Sequence, residues 1–450
     1  MDSIDTPGGP WKPDRTWADP LIVLLALVAV VLSWVVLQRR SDPPPPLRAG
    51  MRGRMAELPV AAGWIFGPKG DPFLKPGDLR QTARTLTEPW DRAVAGVLLA
   101  DQGDLPEGRR LALDGERPGP AAADFQRCWE RAFEGGPAVS PRVRAAALEA
   151  LGNGWAAGLL EARLDARDGG DGATALQRAA ARIGRRLAVI ALLGLLGVCA
   201  GLAGLGVALT LLLMKRRRPA PPTGVPACSG RGLLLVFLGW FLGLLLSGTL
   251  TAPLFQNLPQ LRPYALAVNV SLHAGWGTLL LRLAQGSAWS GYWRSLWAGP
   301  WRRSIGWGFG HLALAVPVVL AVAWAASPLL RRFPSPQREM MEFLAAVGRT
   351  GPLLATALVV IVIAPCFEEL LFRGALLPHL ATKWGWTPAI LVSGLLFGAI
   401  HLQPAGLPTL GALGVILGAA FRRGGGLLSP ILVHALWNGA VFLFLRTMAS

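Results

Sequence analysis

Acidic side chains are nearly missing from the back of this chain. From Leu187 to the C-terminus there are 19 Lys and Arg but only four acids, Glu339, Glu342, Glu368 and Glu369. The first 186 residues hold 25 bases and 23 acids, so the formal net charge of +17 divides into +2 in front and +15 behind. The acid-poor part is also the apolar part of a chain that is 52% hydrophobic, with a mean hydropathy of +0.43. That composition excludes a disordered protein and argues against an ordinary soluble enzyme. Bases clustered between long apolar runs are the pattern of a multi-pass membrane protein. The positive charge therefore implies a lipid bilayer as partner, and no nucleic acid.

Other scarcities narrow the reading further. Only five of the 44 bases are Lys, a composition bias without functional content. The four cysteines, Cys128, Cys199, Cys228 and Cys366, form no CxxC pair. Cys199 and Cys366 fall in apolar helices, where a thiol is expected to pack as a small hydrophobe. HExxH, GxSxG and P-loop patterns are all missing, so soluble metalloprotease, serine hydrolase and nucleotidase readings have no support.

What is present organises into an all-α, multi-pass membrane helix bundle of about nine transmembrane helices with an inserted polar helical domain. A bilayer core of about 30 Å needs roughly 20 helical residues. After a tail over 1–20, the apolar run 21–37 reads as an uncleaved anchor, since Gln38, Arg39 and Arg40 follow it rather than a cleavage site. Pro43 to Pro46 predict a stiff linker. Residues 47–185 read as the polar domain, with helical spacing over 90–100, 121–133 and 141–151 in the manner of antiparallel helix pairs. Ser140-Pro141 reads as a helix cap, and the stretch from Asp168 to Gly172 as a plain turn rather than a calcium loop. A membrane helix over 187–214 follows, its Gly197/Gly201 pair predicting close packing. A basic, Pro-rich linker over 215–231 leads to a membrane domain over 232–446. Its apolar segments lie at about 232–250, 265–284, 304–330, 352–378, 386–402, 409–421 and 427–446.

Lys383, Arg422 and Arg423 mark one face as cytoplasmic, and alternation puts Lys215 to Arg218 with Arg294, Arg302 and Arg303 beside them. The polar domain is then expected outside, in the inner (cytoplasmic) membrane of a bacterium. Arg39, Arg40, Arg331 and Arg332 argue the other way. Trp289, Trp293, Trp297 and Trp301 recur every four residues, as in an interfacial aromatic belt; a lipid-facing or peptide-access groove is the alternative.

Ionisable groups inside membrane helices are costly, which makes them functional candidates. Glu368 and Glu369 end an apolar run, and Arg373 stands four residues after Glu369, on one face and in the favourable order. Glu368 points about 100° away, free for acid/base work. Phe397 and His401 share a face, as do His434 and Asn438. A carboxylate, two imidazoles and a carboxamide suit activation of water and stabilisation of an oxyanion. Glu368, His401 and His434 equally suit zinc with an open position. His273 and His311 are expected to bond neighbouring helices, and His379 to face the membrane interface.

Glu368-Glu369-x-x-x-Arg373, Phe397-x-x-x-His401 and His434-x-x-x-Asn438, in this order, resemble the three motifs of the CPBP family. That family includes CAAX-type prenyl endopeptidases and bacteriocin-processing or abortive-infection membrane proteins. The resemblance covers about 350–446, extending to 232 if the earlier helices belong. It implies an intramembrane endopeptidase open toward the cytoplasm and acting on a membrane-associated peptide or protein. Glu368 and His401 would activate water, His434 and Asn438 would hold the oxyanion, and Glu369 and Arg373 would support the helix geometry. The family is described both as metalloprotease and as metal-free glutamate peptidase. A non-catalytic membrane scaffold or immunity protein on the same fold is the alternative. A transporter with an ion relay is disfavoured by the lack of acids in the other membrane helices.

Overall fold

Proline opens several helices in the front of the chain, where its missing N–H costs nothing and its fixed φ suits the first turn. The computed structural model describes residues 51–66, 76–86, 88–114, 119–152, 154–213, 229–330 and 350–449, with isolated positions between 340 and 347. The expected anchor over 21–37, the proline linker and nearly all of the 215–231 linker lie outside the described residues. Helices α1 (Met51–Phe66), α2 (Pro76–Ala83), α3 (Pro89–Asp101), α4 (Leu105–Leu113), α5 (Ala121–Trp129), α6 (Pro141–Ala150) and α7 (Trp155–Arg167) come first. The Ser140 hydroxyl accepts from the Val143 N–H at 3.4 Å, giving α6 the expected cap. Successive helices pair, α3 on α4 and α5 on α6, around fully buried Trp90, Phe125, Trp129 and Trp155. The Asp168–Gly172 stretch is the turn expected of it. Gly169 takes φ +79°, and Asp171 caps the next helix through the Ala173 N–H at 2.9 Å and the Thr174 hydroxyl at 2.8 Å.

That next helix, α8 (Gly172–Leu213), runs 42 residues without a break. The membrane helix expected over 187–214 is therefore the continuation of a helix that begins among polar residues. Its Gly197 and Gly201 meet no neighbour within 4 Å. The close approach falls at Gly204, where a Cβ would stand 2.5 Å from the Ala313 carbonyl oxygen. The chain divides into two compact units, one within 41–196, 334–348 and 441–450, the other within 197–333 and 349–440 of the described residues.

The second unit contains α9 (Gly230–Asn257), α10 (Ala265–Gln285), α11 (Trp289–Leu296), α12 (Trp301–Leu330), α13 (Thr350–Leu358), α14 (Ala364–Glu369), α15 (Leu377–Trp384), α16 (Trp386–Ala399), α17 (Leu407–Gly424) and the first half of α18 (Leu428–Ala449). No strand occurs among the described residues. Five helical stretches are long and apolar enough to cross a membrane: 172–207, 259–296, 301–327, 350–384 and 428–448. The two arms of α9, bent by 41°, make a sixth. The described residues thus hold five or six candidate spans, and they do not confirm the expected nine. With 14 residues, α16 is about 21 Å long, short of the roughly 30 Å bilayer core. It crosses α17 almost backbone to backbone: a Cβ on Gly394 would lie 2.6 Å from Val415 N, and one on Gly398 2.8 Å from Gly411 N.

Candidate active site

Pro365 and Pro378 shape the helix that carries Glu368 and Glu369. A proline ring clashes with the carbonyl four residues earlier and offers no N–H. Those carbonyls belong to Ile361 and Gly374, and each lies in a π-helical turn, Val359–Ile363 or Leu370–Leu376. In the first turn the Ala364 N–H bonds to Val359 O, five residues back. The matching partner for Val360 O would be Pro365 N, which has no hydrogen. Asn438 fills that place, its Nδ2 donating to Val360 O at 2.9 Å. Widened turns of this kind concentrate at functional sites.

Between the two turns, Glu369 is fully buried and Glu368 is partly open, 18% exposed at its side chain. Glu369 Oε1 accepts from Arg373 Nη1 at 3.0 Å and pairs with His434 Nδ1 at 2.8 Å. Arg373, also fully buried, donates through Nη2 to Gly414 O at 2.7 Å. The close α16–α17 crossing brings that carbonyl within reach. Glu369 and Arg373 are thus a compensated buried pair tied to α17, as the spacing predicted. With Nδ1 on a carboxylate, His434 turns Nε2 toward Glu368, 3.9 Å from its Oε2. That separation exceeds a hydrogen bond. Glu368 Oε2 has no hydrogen-bond partner among the described residues.

His401 points Nδ1 at the carbonyl of Phe397, 2.8 Å away, which leaves Nε2 as its free nitrogen. The Phe397 ring joins the parts: its centroid lies 5.1 Å from the His401 ring, 5.5 Å from the His434 ring and 4.6 Å from the Arg373 guanidinium. Leu402, next to His401, adopts φ +53°, an uncommon conformation for a branched side chain and a local store of strain. Polar and ring contacts thus link Glu368, Glu369, Arg373, Phe397, His401 and His434, while Asn438, one turn beyond His434, is bonded to Val360 O. The sequence did not reveal Val360 and Gly414, because their contribution is a backbone carbonyl; Pro365 was the only available sign of the first.

Among the described residues no group of three His, Cys, Asp or Glu side chains could hold one ion. Several expectations are corrected. His379 is buried rather than facing the interface, because the apolar face of α15 packs inward around it. His311 bonds Trp307 O of its own helix at 2.7 Å, the nearest carbonyl one turn back. His273 Nδ1 has no hydrogen-bond partner among the described residues. Cys199 and Cys366 are exposed on their helices, and Cys128 is buried. Trp293, Trp297 and Trp301 are exposed; Trp289 stacks on Trp293, and Trp293 meets Trp297 edge-on.

Comparison with known proteins falls on this same stretch. The family model described as type II CAAX prenyl endopeptidase Rce1-like matches residues 350–440. This segment is Rce1-like. All seven site residues lie within it. An uncharacterized 24.3 kDa protein of Escherichia coli is 38% identical over 104 residues, 22% of this chain and 48% of its own length. CAAX prenyl protease 2 of Rattus norvegicus is 38% identical over 77 residues, 17% of this chain and 25% of its own. The chain thus spans about half the length of the first relative and a quarter of the second. No solved structure matches. The long apolar helices and the match to a membrane-protease family describe an integral membrane protein.

Proposed function

We propose that the Rce1-like segment is an intramembrane endopeptidase that hydrolyses a peptide bond of a membrane-associated protein or peptide. The observation that carries this reading is the unpartnered Glu368 Oε2 facing His434 Nε2 across 3.9 Å. One oxygen atom reaches both at about 2.8 Å, which is the place for a single water held against the base before it attacks the carbonyl carbon. In this reading Glu368 takes a proton from water as its oxygen attacks the scissile carbonyl, with His401 Nε2 as the second polar group at the nucleophile. His434 turns Nε2 to the oxyanion while Glu369 holds Nδ1. Asn438 spends one of its two amide hydrogens on Val360 O and offers the other. The proton on Glu368 then passes to the leaving amine, giving a carboxylate and an amine. No step is routed through a metal, because the three residues do not converge as ligands.

Terminal-peptide proteomics on membranes carrying wild type or Glu368→Gln tests this. New N-termini that disappear in the variant support proteolysis. Identical termini, with both proteins present at equal level, would leave the scaffold reading in its place.

A further inference from the structure

Four arginines converge where two long apolar helices meet polar sequence. On α8, Arg182, Arg185, Arg186 and Val189 follow the spacing of one helix face, the three arginines standing immediately before the apolar run that starts at Leu187. At the end of α18, Arg446 and Thr447 follow an equally apolar stretch. These six residues line one cavity of about 260 Å³. Among the described residues no acidic side chain lines it, and Glu57 Oε1 stands 3.6 Å from Arg186 Nη1.

Arg186 is 96% buried by its 4% residual exposure, and its Nη2 has no hydrogen-bond partner among the described residues; nor has Arg182 Nε. Arg446 is fixed by a bond from Nη1 to Leu344 O at 3.1 Å. A buried guanidinium with unspent donors, beside three others, is costly without a counter-charge. Guanidinium forks match the oxygens of phosphate in pairs. Basic pockets beside membrane helices are suited to lipid headgroups.

We infer that this cavity binds a phosphate group, supplied by the headgroup of an anionic phospholipid. Its volume lies below the roughly 300–1,000 Å³ of pockets that enclose drug-sized ligands, so it takes a headgroup with the acyl chains left outside. Position favours the lipid over a soluble phosphate. Both helices pass from polar to apolar sequence at the cavity, which is the depth of the headgroups. The next basic clusters, Lys215 to Arg218 beyond α8 and Arg422-Arg423 before α18, lie at the opposite ends of the two helices.

The test is native mass spectrometry of the full chain in neutral detergent, titrated with phosphatidylglycerol, phosphatidylcholine or inorganic phosphate. Retention of phosphatidylglycerol at least tenfold over phosphatidylcholine is expected, with inorganic phosphate failing to displace it at millimolar concentration. Arg185→Gln, exposed and outside the Glu57 pair, is expected to weaken retention severalfold, and Arg185→Gln with Arg446→Gln to abolish the preference. Arg282→Gln, outside the cavity, serves as the control and is expected to match wild type. Equal retention of both lipids, or wild-type retention by the double variant, overturns the proposal. Displacement by inorganic phosphate overturns its lipid source. Should the double variant fail to fold, Arg185→Gln alone decides.

Discussion

Glu368 and Glu369 are sequence neighbours in opposite circumstances. Glu369 is sealed between Arg373 and His434, whereas Glu368 keeps an unspent oxygen at the edge of the site. Glu368→Gln is therefore expected to lower turnover by about 10²–10⁴-fold, the usual share of a general base, with unfolding temperature unchanged. Arg373→Ala is expected to cost about 3–5 kcal/mol, because it strands a buried carboxylate; thermal unfolding in detergent would show it, and unchanged stability would contradict the pairing. Burial pushes the Cys128 thiol up to about 11, so the folded state resists forming the thiolate. The sign follows: this stabilising preference is complete below the unfolded thiol's pKa and fades as pH rises toward 11. Maleimide at pH 7.5 is expected to spare Cys128 in the folded protein and to modify it only after unfolding, read by peptide mass mapping. The Glu369–Arg373 pair was legible from its i, i+4 spacing. The His434–Glu369 bond was not, since 65 residues separate its partners and only tertiary packing brings them together.

At the scale of elements, proline and glycine decide the geometry. Pro365→Ala supplies an N–H that competes with Asn438 for Val360 O. Loss of activity with little loss of helicity is expected, measured as cleavage beside circular dichroism; full activity would separate the π turn from function. Gly398→Leu places side-chain atoms where Gly411 N already sits within 2.8 Å of a Cβ. It is expected to destabilise by roughly 1–3 kcal/mol or more by overpacking. Hydropathy located all seven apolar segments behind residue 232, because burial in lipid requires continuous apolar sequence. It did not separate spans from shorter apolar helices. A 14-residue helix such as α16 is indistinguishable from a span until its ends are seen. Exposure of Cys199 and Cys366 was hidden for a related reason: an all-apolar helix does not declare in sequence which side faces its neighbours.

For the whole molecule, the charge asymmetry is the main guide to orientation. Placing Lys383 and Arg422-Arg423 inside puts the polar residues before α8 outside. A cysteine at Ser140, in a background with Cys199, Cys228 and Cys366 replaced by Ser, is expected to react with an impermeant reagent from the non-cytoplasmic face. Labelling from the cytoplasm alone would reverse the orientation.

The bond from Asn438 to Val360 spans 78 residues and draws together positions near the two ends of the matched segment 350–440. Ends held close together are the condition under which a segment can be inserted into a longer chain without distorting it.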